Sequence, residues 1–331
     1  MLNVGARGLE DHLSGSEVGE KTASLTSPWP EIRTPTELRS LLSTDAGVNA
    51  LLALESSVVP AMVDLLQSEI RALASDPDST PYRIKCAKCL RVLVNKHHVL
   101  PGSLFVNEIT KEGTHPLGGG GFSDIWKGRS KDQSLCLKVL RIHVQGDLRK
   151  REKVAKEFYK EALLWTQLSH PNLLPLLGVN TTLFPQGFCL VSPWMVNGDV
   201  ITFLSLNTDH DRFTAILEIA AGMAYLHSLK IVHGDIKGAN VLVNEQGRCH
   251  LADFGLAVTA AGTTSLVTTS TSNTRGSLRW MAPELFRLGG DNSFANNEIQ
   301  KPKTTTFARD IYAFACTGLE VSFHALYDNQ K

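Results

Sequence analysis

Three side chains with oxygen donors fall close together late in the chain: Asp235, Asn240 and Asp253. The first two belong to His233-Gly234-Asp235-Ile236-Lys237-Gly238-Ala239-Asn240, and the third opens Asp253-Phe254-Gly255. Between them lie Val241-Leu242-Val243, a polar turn over Asn244 to Gly247, and Cys249-His250-Leu251-Ala252, which reads as strand, tight turn, strand. The three oxygen-bearing residues therefore sit on neighbouring turns. Such a set suits a hard divalent ion such as magnesium, which takes few protein carboxylates and keeps positions for phosphate oxygens. Two charged residues upstream are out of place in the same suggestive way. Lys138 interrupts the apolar strand Leu135-Cys136-Leu137-Lys138-Val139-Leu140, where a lone ammonium is costly to bury. Glu161 lies on the inward stripe of a helix expected over about 150 to 168, with Val154, Phe158, Trp165 and Leu168. A buried charge needs a partner, and the spacing pairs these two with each other.

The elements that must position these groups appear in order. Leu117 is followed by Gly118, Gly119, Gly120, Gly121, Phe122 and Ser123, then by the apolar Ile125 and Trp126. Glycines let backbone N–H groups approach phosphates closely, and the flanking alternation predicts a hairpin. Phe188-Cys189-Leu190-Val191 reads as a buried strand running into Ser192, Pro193, Trp194 and Met195. An apolar helix is expected from Phe213 to Leu229, buried in the body of the protein, and another from Phe307 to Val321.

Taken together, these motifs resemble those of the protein kinase family. Gly118 and Gly120 match the first two glycines of its glycine-rich loop, with Ser123 at the third, and the strand around Lys138 matches Val-Ala-Ile-Lys with Cys136 for Ala. Gly276-Ser277-Leu278-Arg279-Trp280-Met281-Ala282-Pro283-Glu284 is similar to the end of the activation segment in tyrosine-kinase-like serine/threonine kinases. The resemblance implies an α+β, bilobal fold: a small lobe of antiparallel sheet plus one helix over about 101–193, and a mainly helical large lobe over about 196–331. It implies ATP and Mg2+ as cofactors and a protein as substrate. Lys138, fixed by Glu161, would hold the nucleotide, aided by Gly118 to Ser123, Ile125, Ser192 at the back of the pocket, and the hinge residues Trp194 and Met195. Asp235 would orient the acceptor hydroxyl, Lys237 would steady the phosphate in flight and favour Ser/Thr acceptors, and Asn240 and Asp253 would hold the metal. Asp310 would brace the catalytic loop.

Two departures from the pattern carry expectations of their own. Gly234 stands where the family usually has an arginine that pairs with a phosphate on the activation segment. Activity is therefore not expected to depend on phosphorylation of that segment through this contact. The sequence also stops at Lys331, soon after the Asp310 helix, so the large lobe is expected to lack its C-terminal helices. That shortening favours an alternative reading, a catalytically impaired pseudokinase or scaffold that binds nucleotide.

Ahead of the kinase-like part, residues 1–30 are rich in Gly, Ser and charge and are expected to form a disordered tail. Residues 31–100 predict a small all-α bundle, opened by Thr34, Pro35 and Glu37 as a capping box and offering a surface for a protein partner. Its Cys86-Ala87-Lys88-Cys89 falls on the apolar stripe of the last helix without a second cysteine pair, so it reads as core rather than as a zinc site. The 331 residues are 43% hydrophobic and 20% charged, with zero formal net charge. This composition points to no nucleic acid and no membrane as partner. No stretch approaches the ~20 apolar residues of a membrane span, and six cysteines without a disulfide pattern suit the cytoplasm, with the nucleus as the other compartment.

Overall fold

The computed structural model describes residue 32 and residues 34–73, 76–119, 123–140, 148–184, 187–253, 258–259, 278–283 and 307–327. The expected tail, Gly120, Gly121, Phe122, Phe254, Gly255, Glu284 and most of the stretch likened above to an activation segment lie outside them, as does the side chain of Val154.

The chain opens with four helices: α1 (Pro35–Leu41), α2 (Asp45–Leu52), α3 (Val59–Ala72) and α4 (Thr80–His97). The capping box at Thr34 forms as read, with Glu37 N–H donating to Thr34 Oγ1 at 3.3 Å and Thr34 N–H donating to Glu37 Oε2 at 3.0 Å. The leucine stripe running on from Leu38 is divided between α1 and α2. Thr44 accepts the Gly47 N–H and starts a second helix there. Leu38, Leu51, Leu66, Cys86, Leu90 and Leu93 fill the bundle interior, and Cys89 is buried beside them. All six cysteines are free.

Residues 98–106 leave α4 and run onto a sheet. His98 takes a left-handed conformation (φ 54°), and Gly102 donates its N–H to Asp64 Oδ1 at 2.6 Å. Phe105 then bridges Val179 in parallel fashion, and Val106 N–H donates to the Val179 carbonyl at 2.9 Å. The sheet consists of β1 (Thr110–Lys111), β2 (Gly118–Gly119), β3 (Ser123–Ser130), β4 (Gln133–Leu140), β5 (Gly178–Asn180) and β6 (Phe188–Pro193). All its pairings are antiparallel, in the order β1-β3-β4-β6-β5, with β2 joined to β3. One helix, α5 (Leu148–Thr166), packs against β5 and β6. Its buried face carries Phe158, Glu161, Ala162 and Trp165, the spacing expected from the sequence.

Beyond β6 the chain is mainly helical. Asp199 caps α6 (Val200–Leu206) and Asp211 caps α7 (Arg212–Ser228). The short strands β7 (Ile231–Val232), β8 (Val241–Val243), β9 (Cys249–Leu251) and β10 (Val258–Thr259) form two small pairs, β7 with β10 and β8 with β9. The long α8 (Phe307–Tyr327) packs on α6 and α7. The expectation that the α7 segment is buried holds for one face only. Ile219, Met223 and Leu226 are buried, whereas Phe213 is 65% exposed, because a helix that packs along one stripe leaves its opposite side in solvent. The same is true of α8, where Val321 is buried and Leu319 is 61% exposed. Buried side chains of α1–α4, α5, α7 and α8 belong to one continuous cluster that also includes Leu100 and Leu104. Among the described residues no helix is long and apolar enough to cross a membrane.

Candidate active site

The register of the sheet fixes the lysine. Pairing of β4 with β3 sets Lys138 opposite Ile125, and pairing with β6 sets it opposite Leu190. Its ammonium donates to Glu161 Oε1 at 3.0 Å, the pair expected from two misplaced charges. It also donates to Asp253 Oδ1 at 2.8 Å, a second partner that the sequence reading did not assign to it. Burial alone would depress the pKa of Lys138, but the charges of Asp253 and Glu161 outweigh it and the group lies above the ordinary lysine value. The same attraction to Lys138 holds the Asp253 carboxyl down at about 2. Asp253 itself is a non-glycine residue at φ 66°, a conformation retained only where its surroundings enforce it.

The turn carrying Asp235 is fixed from below by α8. Asp310, fully buried, accepts the N–H groups of His233 at 2.7 Å and Gly234 at 2.8 Å, and its Oδ2 also meets His227 Nε2 at 2.9 Å. His233 Nε2 lies 3.1 Å from the Ala252 carbonyl and must carry the proton to donate there. Nδ1 is then left to accept the Asp235 N–H at 3.3 Å. That one imidazole ties the turn bearing Asp235 to the residue before Asp253. Gly234 adopts φ 83°, so its lack of a side chain meets a conformational demand as well as removing the arginine.

Asp235 Oδ2 accepts from Lys237 Nζ at 2.7 Å and from Asn240 Nδ2 at 2.9 Å. The Asn240 amide nitrogen also donates to the Asp235 carbonyl at 2.8 Å. With its nitrogen so engaged, the amide oxygen is the atom of Asn240 that could serve a cation. The structure thus brings Lys138, Glu161, Asp253, Asp235, Lys237 and Asn240 into one connected constellation. Of the expected nucleotide-binding residues, Gly118 and Gly119 pair with Ile125 and Asp124 as the base of the predicted hairpin, and Ser123 begins β3 opposite Leu140. Ser192 is buried at the end of β6 opposite Cys136. Trp194 donates its N–H to the Ser134 carbonyl at 3.0 Å and lies under Lys127 (5.6 Å), while the Met195 carbonyl receives the Gly198 N–H.

The sequence reading missed Glu320. Its Oε2 accepts the Gly238 N–H at 3.0 Å and the Trp280 indole N–H at 3.2 Å, closing the far end of the Asp235 turn onto α8. The signal was a polar stripe at positions 310, 317 and 320, at helical spacing within an apolar segment.

A family model described as protein tyrosine and serine/threonine kinase matches residues 112–326, which span the constellation. The chain belongs to the protein kinase family. Among curated relatives, the serine/threonine-protein kinase STY46 of Arabidopsis thaliana is 32% identical over 52% of this chain and 28% of its own length. The serine/threonine/tyrosine-protein kinase HT1 of the same plant is 28% identical over 59% of this chain and 46% of its own. The human tyrosine-protein kinase ABL2 is 29% identical over 64% and 16%. This chain therefore spans less than half the length of each of these kinases. Among the described residues no group of three or more His, Cys, Asp or Glu could hold a metal. Asn240 and Asp253 could offer one oxygen donor each, and magnesium needs few protein ligands because it keeps its remaining positions for water and phosphate.

Proposed function

We propose that this chain transfers the γ-phosphoryl group of ATP to a serine or threonine hydroxyl of a protein substrate, with Mg2+ as the accompanying ion. The observation that carries the reading is the Lys138 ammonium held by carboxylates from two elements, Glu161 on α5 and Asp253 after β9. Such a lysine has little role in packing, but it is a fixed positive charge whose position two carboxylates determine.

The chain's own groups divide the work. Lys138 binds the nucleotide phosphates, and Glu161 keeps it aimed. The described part of the glycine-rich stretch, Gly118 and Gly119 paired to β3, offers backbone N–H groups to the same phosphates, and Ile125 and Ser192 line the space beneath. Because the Trp194 N–H is already taken by Ser134, the hinge donor left for a base is that of Met195. Asn240 and Asp253 hold the metal, which when bound neutralises phosphate charge. Asp235 orients the acceptor hydroxyl and takes its proton on Oδ1, since Oδ2 is engaged by Lys237 and Asn240. Lys237 neutralises charge beside the reacting centre. Catalysis of this kind is positioning and charge compensation, so removing one participant costs ~10²–10³-fold in rate. In domain terms, residues 31–100 form the helical bundle and 101–331 the kinase domain.

Radiolabelled γ-phosphate transfer to a generic protein acceptor by the full chain tests the reading, with Asp235→Asn and Lys138→Met alongside. Transfer by the wild type, lost in both variants and recovered as phosphoserine or phosphothreonine after acid hydrolysis, is the expected outcome. Phosphotyrosine alone would overturn the acceptor assignment. A rise in melting temperature with Mg·ATP but no transfer would replace enzymatic function with the scaffold reading.

A further inference from the structure

The N-terminal helices are not a detached appendage, since α4 packs directly on α5, the helix that carries Glu161. The contact centres on two rings. His98 stacks on Tyr159 with centroids 5.8 Å apart and planes 17° apart. Tyr159 in turn abuts Phe158 and Phe188, and Phe158 stacks on Phe188 of β6 at 4.8 Å. A line of aromatic contacts thus runs from the end of α4, through the turn of α5 that bears Glu161, to the strand beside Lys138.

His98 is held there at some expense. It is a non-glycine residue in the left-handed region, and its buried Nε2 has no hydrogen-bond partner among the described residues. The left-handed conformation is an ordinary helix ending, with the His98 N–H donating to the Val94 carbonyl at 2.8 Å, and it aims the ring at Tyr159, where the stacking offsets the unmatched nitrogen. Just downstream, the Val106 N–H on Val179 and the Asn180 amide on the Val106 carbonyl (2.8 Å) fasten the connecting segment to β5. A methyl group at Gly178 would lie 2.3 Å from the Leu104 carbonyl oxygen, so the two backbones are in direct contact.

We propose that the N-terminal helices are a built-in positioning element of the nucleotide site, with His98 acting through Tyr159 to hold α5 where Glu161 meets Lys138. The proposal rests on the kinase reading above for its catalytic consequence, though not for its mechanical one. His98 and Tyr159 are positioning residues and touch no substrate.

The test uses the full chain carrying His98→Gly, which removes the ring while suiting the left-handed backbone. The KM for ATP is expected to rise by about 5- to 10-fold, a coupling of ordinary size, with kcat changed less. Backbone hydrogen exchange over residues 158–163 should quicken while α7 and α8 keep wild-type protection. In a Glu161→Gln background His98→Gly should add less than about 2-fold, because both changes act on one contact. Tyr159→Leu should reproduce the effect and Tyr159→Phe should restore wild-type behaviour, which keeps the proposal testable if His98→Gly fails to fold. An unchanged KM, equal factors in both backgrounds, or unchanged exchange in α5 would overturn the proposal. If the wild type binds no nucleotide, the kinase reading fails by itself, and exchange in α5 alone decides the positioning role.

Discussion

Gly234 donates its backbone N–H to Oδ1 of Asp310 at 2.8 Å while standing at φ 83°. The turn that presents Asp235 therefore depends on a carboxylate below it and on a residue without a β-carbon. Asp310→Asn keeps the shape but turns one acceptor into a donor facing N–H groups. Loss of about 2–3 kcal/mol is expected for leaving such buried donors unmatched. Chemical denaturation of the two proteins measures it, and a loss below about 0.5 kcal/mol, the size of an ordinary surface substitution, would mean that Asp310 does not brace the turn.

Restoring the family's arginine at position 234 should be unfavourable. Gly234→Arg forces a side chain into the left-handed region, at about 1–2 kcal/mol, and Gly234→Ala should show the same penalty because the strain arises at the β-carbon. A cost for arginine alone would locate the problem in the charge or bulk of the guanidinium.

Without that arginine, phosphate on the activation segment has no partner at position 234. Wild-type protein treated with phosphatase should phosphorylate a generic acceptor within about 2-fold of untreated protein, far short of the effect of losing a charge-assisted contact. A drop of an order of magnitude would show that another cation reads the phosphate.

The pH dependence follows from Asp253. Its carboxyl is held at about 2, against an ordinary 3.8, chiefly by Lys138. A depressed folded pKa gives stability that is fully present above the unfolded value and is lost as pH falls through the folded one. The difference in melting temperature between wild type and Lys138→Met should be flat from pH 5 to 8 and should narrow between about pH 4 and 2. The side chain is 49% exposed, so solvent screens the contribution. A difference constant down to pH 2 would separate Lys138 from Asp253 in solution.

Cys86 and Cys89 should bind no structural metal. Burial pushes the Cys86 thiol up to about 11, which favours the protonated form over a metal-binding thiolate. Prolonged chelation should leave the melting curve unchanged, whereas Cys86→Ala should cost about 1 kcal/mol through lost packing. A large shift on chelation would reverse that assignment.

Much of this arrangement was legible in the sequence because it is written in contradictions. Lys138 in a strand and Glu161 on an apolar helical stripe each break a local pattern, and a tertiary contact resolves both. Capping at Thr34 and the β8–β9 hairpin are local and were equally plain. What escaped depends on pairings distant in sequence: the Asp253 contact to Lys138, and Glu320 gathering Gly238 and Trp280. The cap at Thr44 was overlooked because the leucines on either side continue the same spacing. The docking of α4 on α5 left no trace in either helix's own periodicity, because a buried stripe does not say which partner covers it.

The pairing of Phe105 and Val106 with Val179 has a practical consequence for anyone dissecting this gene. β5 is the last strand of its sheet, and these two residues cover its outer side. A shortened protein that began at residue 112, where the family match starts, would expose that strand's free N–H and C=O groups to other chains and invite aggregation. A workable excision has to start far enough upstream to keep that cover in place.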